Sequence, residues 1–87
     1  MEIDFSAKAK EDLGFWKKSG NQSIQGKISK LIVSILETPY VGLGKPEPLK
    51  HELHGTWSRR INKEHRIVYE VEKSRIIVLS LKGHYEQ

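Results

Sequence analysis

Residues 56–81 decide the fold: Thr56-Trp-Ser-Arg-Arg-Ile61, then Asn62-Lys-Glu-His65, then Arg66-Ile-Val-Tyr-Glu-Val71, then Glu72-Lys-Ser-Arg75, then Ile76-Ile-Val-Leu-Ser-Leu81. Three runs rich in β-branched and aromatic residues are separated by two connectors with turn-like composition, the pattern of an antiparallel meander. In the middle run Ile67, Tyr69 and Val71 point one way and Arg66, Val68 and Glu70 the other, because a strand alternates its side chains. The last run is apolar on both faces, which predicts a central strand. It ends at Lys82-Gly83 and releases His84-Tyr85-Glu86-Gln87.

Upstream of this meander, Thr38 to Pro48 contains Gly42, Gly44, Pro39, Pro46 and Pro48, so a stiff loop is predicted that presents Glu47 between its two prolines. Before it, Ile24, Ile28, Leu31, Ile32, Ile35 and Leu36 form one broad apolar stripe, predicting a helix between Asn21 and Glu37. A shorter helix is predicted over Ala7–Ser19, with Ser6 as its cap, Ala9, Leu13 and Trp16 on its buried face and Gly20 in the left-handed position after its end. Ile3 and Phe5 alternate with Glu2 and Asp4 as in a short strand. The order strand-helix-helix-strand-strand-strand gives an α+β fold, a small antiparallel-dominated sheet with two helices on one face. Residues 1–87 are expected to form a single domain, since half of this length buries too little apolar surface to fold alone.

The chain lacks any apolar run of the roughly 20 residues a membrane span needs. Its first residues are acidic where a secretory signal needs positive charge, so a cytoplasmic location is expected. With no cysteine, disulfides, thiolate metal sites and thiol nucleophiles are excluded. The net charge of +4 favours polyanionic partners such as RNA, DNA or an acidic protein. That charge is concentrated between Lys45 and Tyr69, where Arg59, Arg60 and Arg66 stand near aromatic residues.

The predicted layering leaves one sheet face open, carrying Arg66 and Arg60, with Glu47 at one edge and His84-Tyr85 at another. Cleaving RNA by its own 2′-hydroxyl needs a base, an acid and cations to hold the phosphorane charge. Glu47, His84 and Arg66 supply those three chemistries, Arg66 through a planar fork suited to two phosphate oxygens. Lys50, His51 and Arg60 would add phosphate contacts, and Tyr85 a stacking surface for a base. Each has a plainer reading. Taken alone, Glu47 reads first as a solvated loop carboxylate, Arg60 and Arg66 as surface residues paired with Glu64 or Glu70, His84 as a frayed terminus, and Trp57 and Tyr69 as core aromatics. His51 and His54 lack the further ligands that would make their spacing a metal site, and no cofactor is expected.

Four blocks, Lys-Pro-Glu-Pro-Leu-Lys-His at 45–51, Gly-Thr-Trp-Ser-Arg-Arg-Ile at 55–61, Glu-His-Arg-Ile-Val-Tyr at 64–69 and the closing His-Tyr at 84–85, resemble the YoeB (Txe) toxins of the RelE/ParE superfamily. The resemblance extends through the helices and the Glu37-to-Lys45 segment, over nearly the whole chain. It implies a RelE-like, microbial-ribonuclease-like fold and a toxin of a type II toxin-antitoxin pair. It further implies a ribosome-dependent endoribonuclease that cuts mRNA on the 70S ribosome, needs no metal and is neutralised by a YefM-like antitoxin. By the same resemblance the complex with antitoxin binds operator DNA, and the free toxin is a possible homodimer. Glu47 would be the general base, His84 the general acid and Arg66 the phosphate clamp, assisted by Arg60, Tyr85 and Lys50. The chain departs from the family in Glu86-Gln87 beyond the tyrosine. A function of a different class is a cationic module that blocks the ribosome or serves as co-repressor without chemistry.

Overall fold

In the computed structural model, which describes residues 1–49 and 55–83, the chain runs β1 (Glu2–Phe5), α1 (Ala7–Ser19), α2 (Gln22–Glu37), β2 (Glu47–Pro48), β3 (Thr56–Arg60), β4 (Arg66–Val71) and β5 (Arg75–Ser80). The strands form one sheet in the order β1-β5-β4-β3-β2. β2, β3, β4 and β5 pair antiparallel in succession, while β1 lies parallel to β5 at the far edge. The meander of the last three strands is as the sequence predicts. The central place, however, belongs to β4; β5 is interior, between β1 and β4.

Both helices start and stop on the predicted signals. Ser6 accepts from the Ala9 N–H, Gly20 adopts φ 70° after α1, and Asn21 caps α2 by accepting from the Ile24 N–H. Ile24, Ile28, Leu31 and Ile35 of α2 and Ala9 and Trp16 of α1 meet Ile67, Tyr69, Ile76 and Val78 of the sheet in one core. Leu13, Ile32 and Leu36 are half-buried against its margin.

A bulge between Val68 and Tyr69 resolves the ambiguous pattern of the last strand. Val78 stands opposite Tyr69, but Ser80 stands opposite Val68, so Leu79 is the extra residue. The extra residue rephases the alternation: Ser80 comes to the open face and Leu81 turns into the core, fully buried. Ser6 serves two elements here, since its hydroxyl also donates to the Leu79 carbonyl at 2.9 Å.

The loop predicted for Thr38–Pro48 needs correcting at its end. Glu47 and Pro48 form an edge strand on β3, extended by the Leu49 N–H to Thr56 O bond and preceded by the Arg60 N–H to Gly44 O bond. Prolines lack the N–H that a ladder uses, so this pairing is confined to an edge. Gly44 permits the approach: it has φ 80°, and a Cβ there would lie 2.7 Å from Leu31 Cδ2 and 3.0 Å from Arg60 O.

Candidate functional site

Strand register assigns the two faces. Trp57 and Arg59 of β3 oppose Tyr69 and Ile67 of β4, on the helix side; Thr56, Ser58 and Arg60 oppose Glu70, Val68 and Arg66, on the open side. Glu47 stands opposite Ser58 across the β2–β3 pair, so the row Glu47, Ser58, Val68, Ser80 crosses the face away from the helices, with Glu47 exposed and Ser58 and Val68 buried. Arg60 and Arg66 form the next row.

Arg59 therefore leaves the cationic group that the sequence suggests. It is fully buried, and its guanidinium donates to Tyr69 Oη (3.0 Å), Ser34 Oγ (2.7 Å), Leu43 O (3.1 Å), Thr38 O (2.6 Å) and Val41 O (3.0 Å). Its task is to tie the segment after α2 to the sheet. Tyr69 completes this network by donating to Pro39 O at 2.7 Å. Burial pushes the Tyr69 phenol above its ordinary pKa of 10, opposed in part by the hydrogen bond and the charge of Arg59.

On the open face Arg66 Nη1 lies 2.9 Å from Glu47 Oε1 and 3.4 Å from Ser58 Oγ. The guanidinium side chain is 12% exposed and the carboxylate 49%. This pair replaces the Glu64 or Glu70 partners considered from sequence, and Glu47 is an ion-paired group rather than a solitary loop carboxylate. Among the described residues the Arg66 guanidinium donates only through Nη1. Directly opposite, exposed Arg60 faces Arg66 across the strand pair; like charges in that position repel, so the two together favour an anion between them. A depression of about 350 Å³ beside Arg60 is lined also by Lys27, Lys45 and Lys63, with no carboxylate among its lining residues.

The end of the described chain comes to the same place. Arg66 N–H donates to Gly83 O at 3.0 Å, and Gly83 N–H donates to His65 Nδ1 at 3.0 Å. Thus Glu47, Arg66 and Arg60 are brought together, with the residue preceding His84 alongside. Lys50, His51, His54, His84 and Tyr85 lie outside the described residues. Ser58 and His65 were not singled out from sequence. The alternation of β3 could have placed Ser58 beside Glu47, whereas His65 required knowledge of where Gly83 returns.

A family profile described as "YoeB-like toxin of bacterial type II toxin-antitoxin system" matches residues 5–85. The chain belongs to this family. It is 40% identical over 85 residues to Toxin YoeB of Escherichia coli strain K12, covering 98% of this chain and 100% of that protein. Among solved structures, the YoeB/ParE toxin from Agrobacterium tumefaciens superposes with a TM-score of 0.92 at 41% identity, covering 98% of this chain and 100% of that one. YoeB of the Staphylococcus aureus YoeB–YefM complex gives 0.86 at 43% identity, with 98% of each chain covered. The E. coli YafQ structure, at 14% identity and a TM-score of 0.78, shares the fold. The YoeB-like fold here is the α+β arrangement that the sequence predicts. Among its described residues no helix is long and apolar enough to cross a membrane.

Proposed function

We propose that this chain is a ribosome-dependent mRNA endoribonuclease, with the ion pair of Glu47 and Arg66 on the open sheet face as the observation that carries the reading. The ion pair holds the Glu47 carboxylate 2.9 Å from the guanidinium that would bind the phosphate, within reach of the ribose next to it. Glu47 takes the proton of an RNA 2′-hydroxyl, whose oxygen attacks the adjacent phosphorus. Arg66, through the donors that Glu47 leaves unused, and Arg60 opposite it hold the non-bridging oxygens as charge builds on the phosphorane. The P–O5′ bond breaks, and His84 gives its proton to the departing 5′ oxygen. The products are a 2′,3′-cyclic phosphate and a 5′-hydroxyl. Gly83, the residue before His84 in the chain, is hydrogen-bonded to Arg66 at the strand end. Lys50 and His51 extend the phosphate contacts and Tyr85 stacks on a base. Each proton transfer is worth about 100- to 10,000-fold. None of these steps calls on a metal.

A small enzyme with this open cationic face gains its substrate's register from the ribosome, which holds the message extended. The cytoplasm is where the two meet. The same face is the natural target of an acidic, YefM-like antitoxin, given the net charge of +4 and the YoeB–YefM complex of a relative. The resulting complex would bind operator DNA through the antitoxin, and self-association follows the YoeB dimer solved from Staphylococcus aureus. Mapping 5′ ends on ribosome-bound message tests the reading. Cleavage within codons supports it, while inhibition of translation without new ends supports a non-catalytic ribosome blocker or co-repressor.

A further inference from the structure

Beyond Ser80 the β5 ladder ends, yet all four main-chain polar groups of Leu81 and Gly83 are held. Asp12 Oδ2 accepts from the Leu81 N–H at 2.9 Å, and Trp16 Nε1 donates to the Leu81 carbonyl at 2.9 Å. His65 Nδ1 accepts from the Gly83 N–H at 3.0 Å, and the Arg66 N–H donates to the Gly83 carbonyl at 3.0 Å. Three of these four bonds come from side chains on α1 and on the β3–β4 turn. Between them, Lys82 places its ammonium 4.2 Å from the centre of the Phe15 ring.

Such investment in an irregular terminus needs a reason. Gly83 has φ 100°, and a Cβ there would meet nothing within 4 Å; hydrogen bonds, not crowding, fix its conformation. Glycine is the residue that loses most freedom on being fixed, so without its partners this point would swing. His65 is itself held. Its N–H donates to Asn62 Oδ1 at 2.8 Å, and its ring meets Trp16 edge-on, with ring centres 4.8 Å apart. The geometry requires Nδ1 to be unprotonated, so the neutral ring carries its hydrogen on Nε2.

We infer that His65 is a positioning residue that fixes Gly83, the residue preceding His84 in the chain, through the Gly83 N–H, with Asp12 and Trp16 fixing Leu81 before it. The functional half of this inference rests on the ribonuclease reading above; the structural half does not. The decisive comparison uses two variants. His65→Phe keeps a ring against Trp16 and removes the acceptor; His65→Asn places an amide oxygen near the Nδ1 position and removes the ring. Amide hydrogen exchange at Gly83 should accelerate about tenfold or more in His65→Phe and stay near wild type in His65→Asn. In ribosome-dependent cleavage, His65→Phe should lose roughly 10- to 100-fold in kcat with KM little changed, since a displacement of about 1 Å can cost 100-fold. His65→Asn should recover most of it. Nitrogen NMR of the wild-type ring reads the tautomer without any substitution, and a hydrogen on Nδ1 would overturn the inference, as would unchanged Gly83 exchange in His65→Phe. Equal loss in both variants would assign the effect to ring packing and also overturn it. If the wild-type chain cuts no RNA, the functional reading fails, while exchange at Gly83 and the tautomer still decide the clamp.

Discussion

Replacing Arg59 by methionine should destabilise the protein by about 3 kcal/mol, because its guanidinium is fully buried and hydrogen-bonded. Methionine keeps most of the buried aliphatic stem, so the loss falls on the five hydrogen bonds. Their acceptors fare differently. Val41 O keeps Thr38 Oγ1 at 2.8 Å, and Ser34 Oγ keeps the Leu43 N–H at 3.3 Å. Tyr69 still donates to Pro39 O. Thr38 O retains only a long 3.4 Å contact from the Val41 N–H, and Leu43 O retains no partner among the described residues. One or two orphaned acceptors, at about 1–3 kcal/mol each, set the magnitude. Swapping a whole buried ion pair for apolar residues can be neutral, but main-chain carbonyls cannot be swapped out. For a domain of this size the expected fall in Tm is roughly 12–24 °C. Thermal unfolding followed by circular dichroism, with urea titration for the free energy, measures it. A Tm within about 3 °C of wild type would refute the claim that Arg59 anchors the loop after α2.

Alkaline pH should act through Tyr69. Its folded-state pKa is raised by burial, so its contribution is fully present below about pH 10 and is lost as pH rises through the higher folded value; Tm measured from pH 8.5 upward should fall less steeply in Tyr69→Phe than in wild type. Gly44→Ala should cost about 2 kcal/mol or more, because φ is positive there and the added carbon meets Leu31 and the Arg60 carbonyl; chemical denaturation gives the value. Lys27→Ala and Lys63→Ala, on the depression beside Arg60, should each lower the slope of log affinity against log salt for single-stranded RNA by about 0.7. Fluorescence titrations at several salt concentrations read that slope, and an unchanged slope would remove the depression from the RNA path.

What was legible in the sequence follows the range of the forces involved. The stripe from Ile24 to Leu36, the Ser6 cap and Gly20 are local signals, and they gave the helices within a residue. Strand alternation put Arg66 on the open face because β4 pairs with β3 in unbroken register. The same rule pairs Arg59 with Trp57 on the helix side, yet a charged residue reads as surface until its acceptors are known, and these lie 16 to 25 residues away for Leu43 and Ser34. Pro46-Glu47-Pro48 obeys the local rules for a loop; only the long-range register with Ser58 makes it an edge strand. The bulge at Leu79 and the parallel pairing of β1 with β5 arise between segments far apart in the chain, so no local pattern encodes them. The grouping of Glu47 with Arg66 was readable from the family's blocks, but their contact depends on that unread register. His65 stayed hidden because its partner, Gly83, is 18 residues away.

The central claim is that Glu47, ion-paired to Arg66 on the open face, is the base in RNA cleavage. Primer extension on ribosome-bound message, with wild type and Glu47→Gln at equal occupancy, tests it most directly. New 5′-hydroxyl ends within codons are expected for wild type, and a rate lower by about 100-fold or more for Glu47→Gln, the worth of one positioned proton transfer. Cutting by Glu47→Gln at the wild-type rate would contradict it.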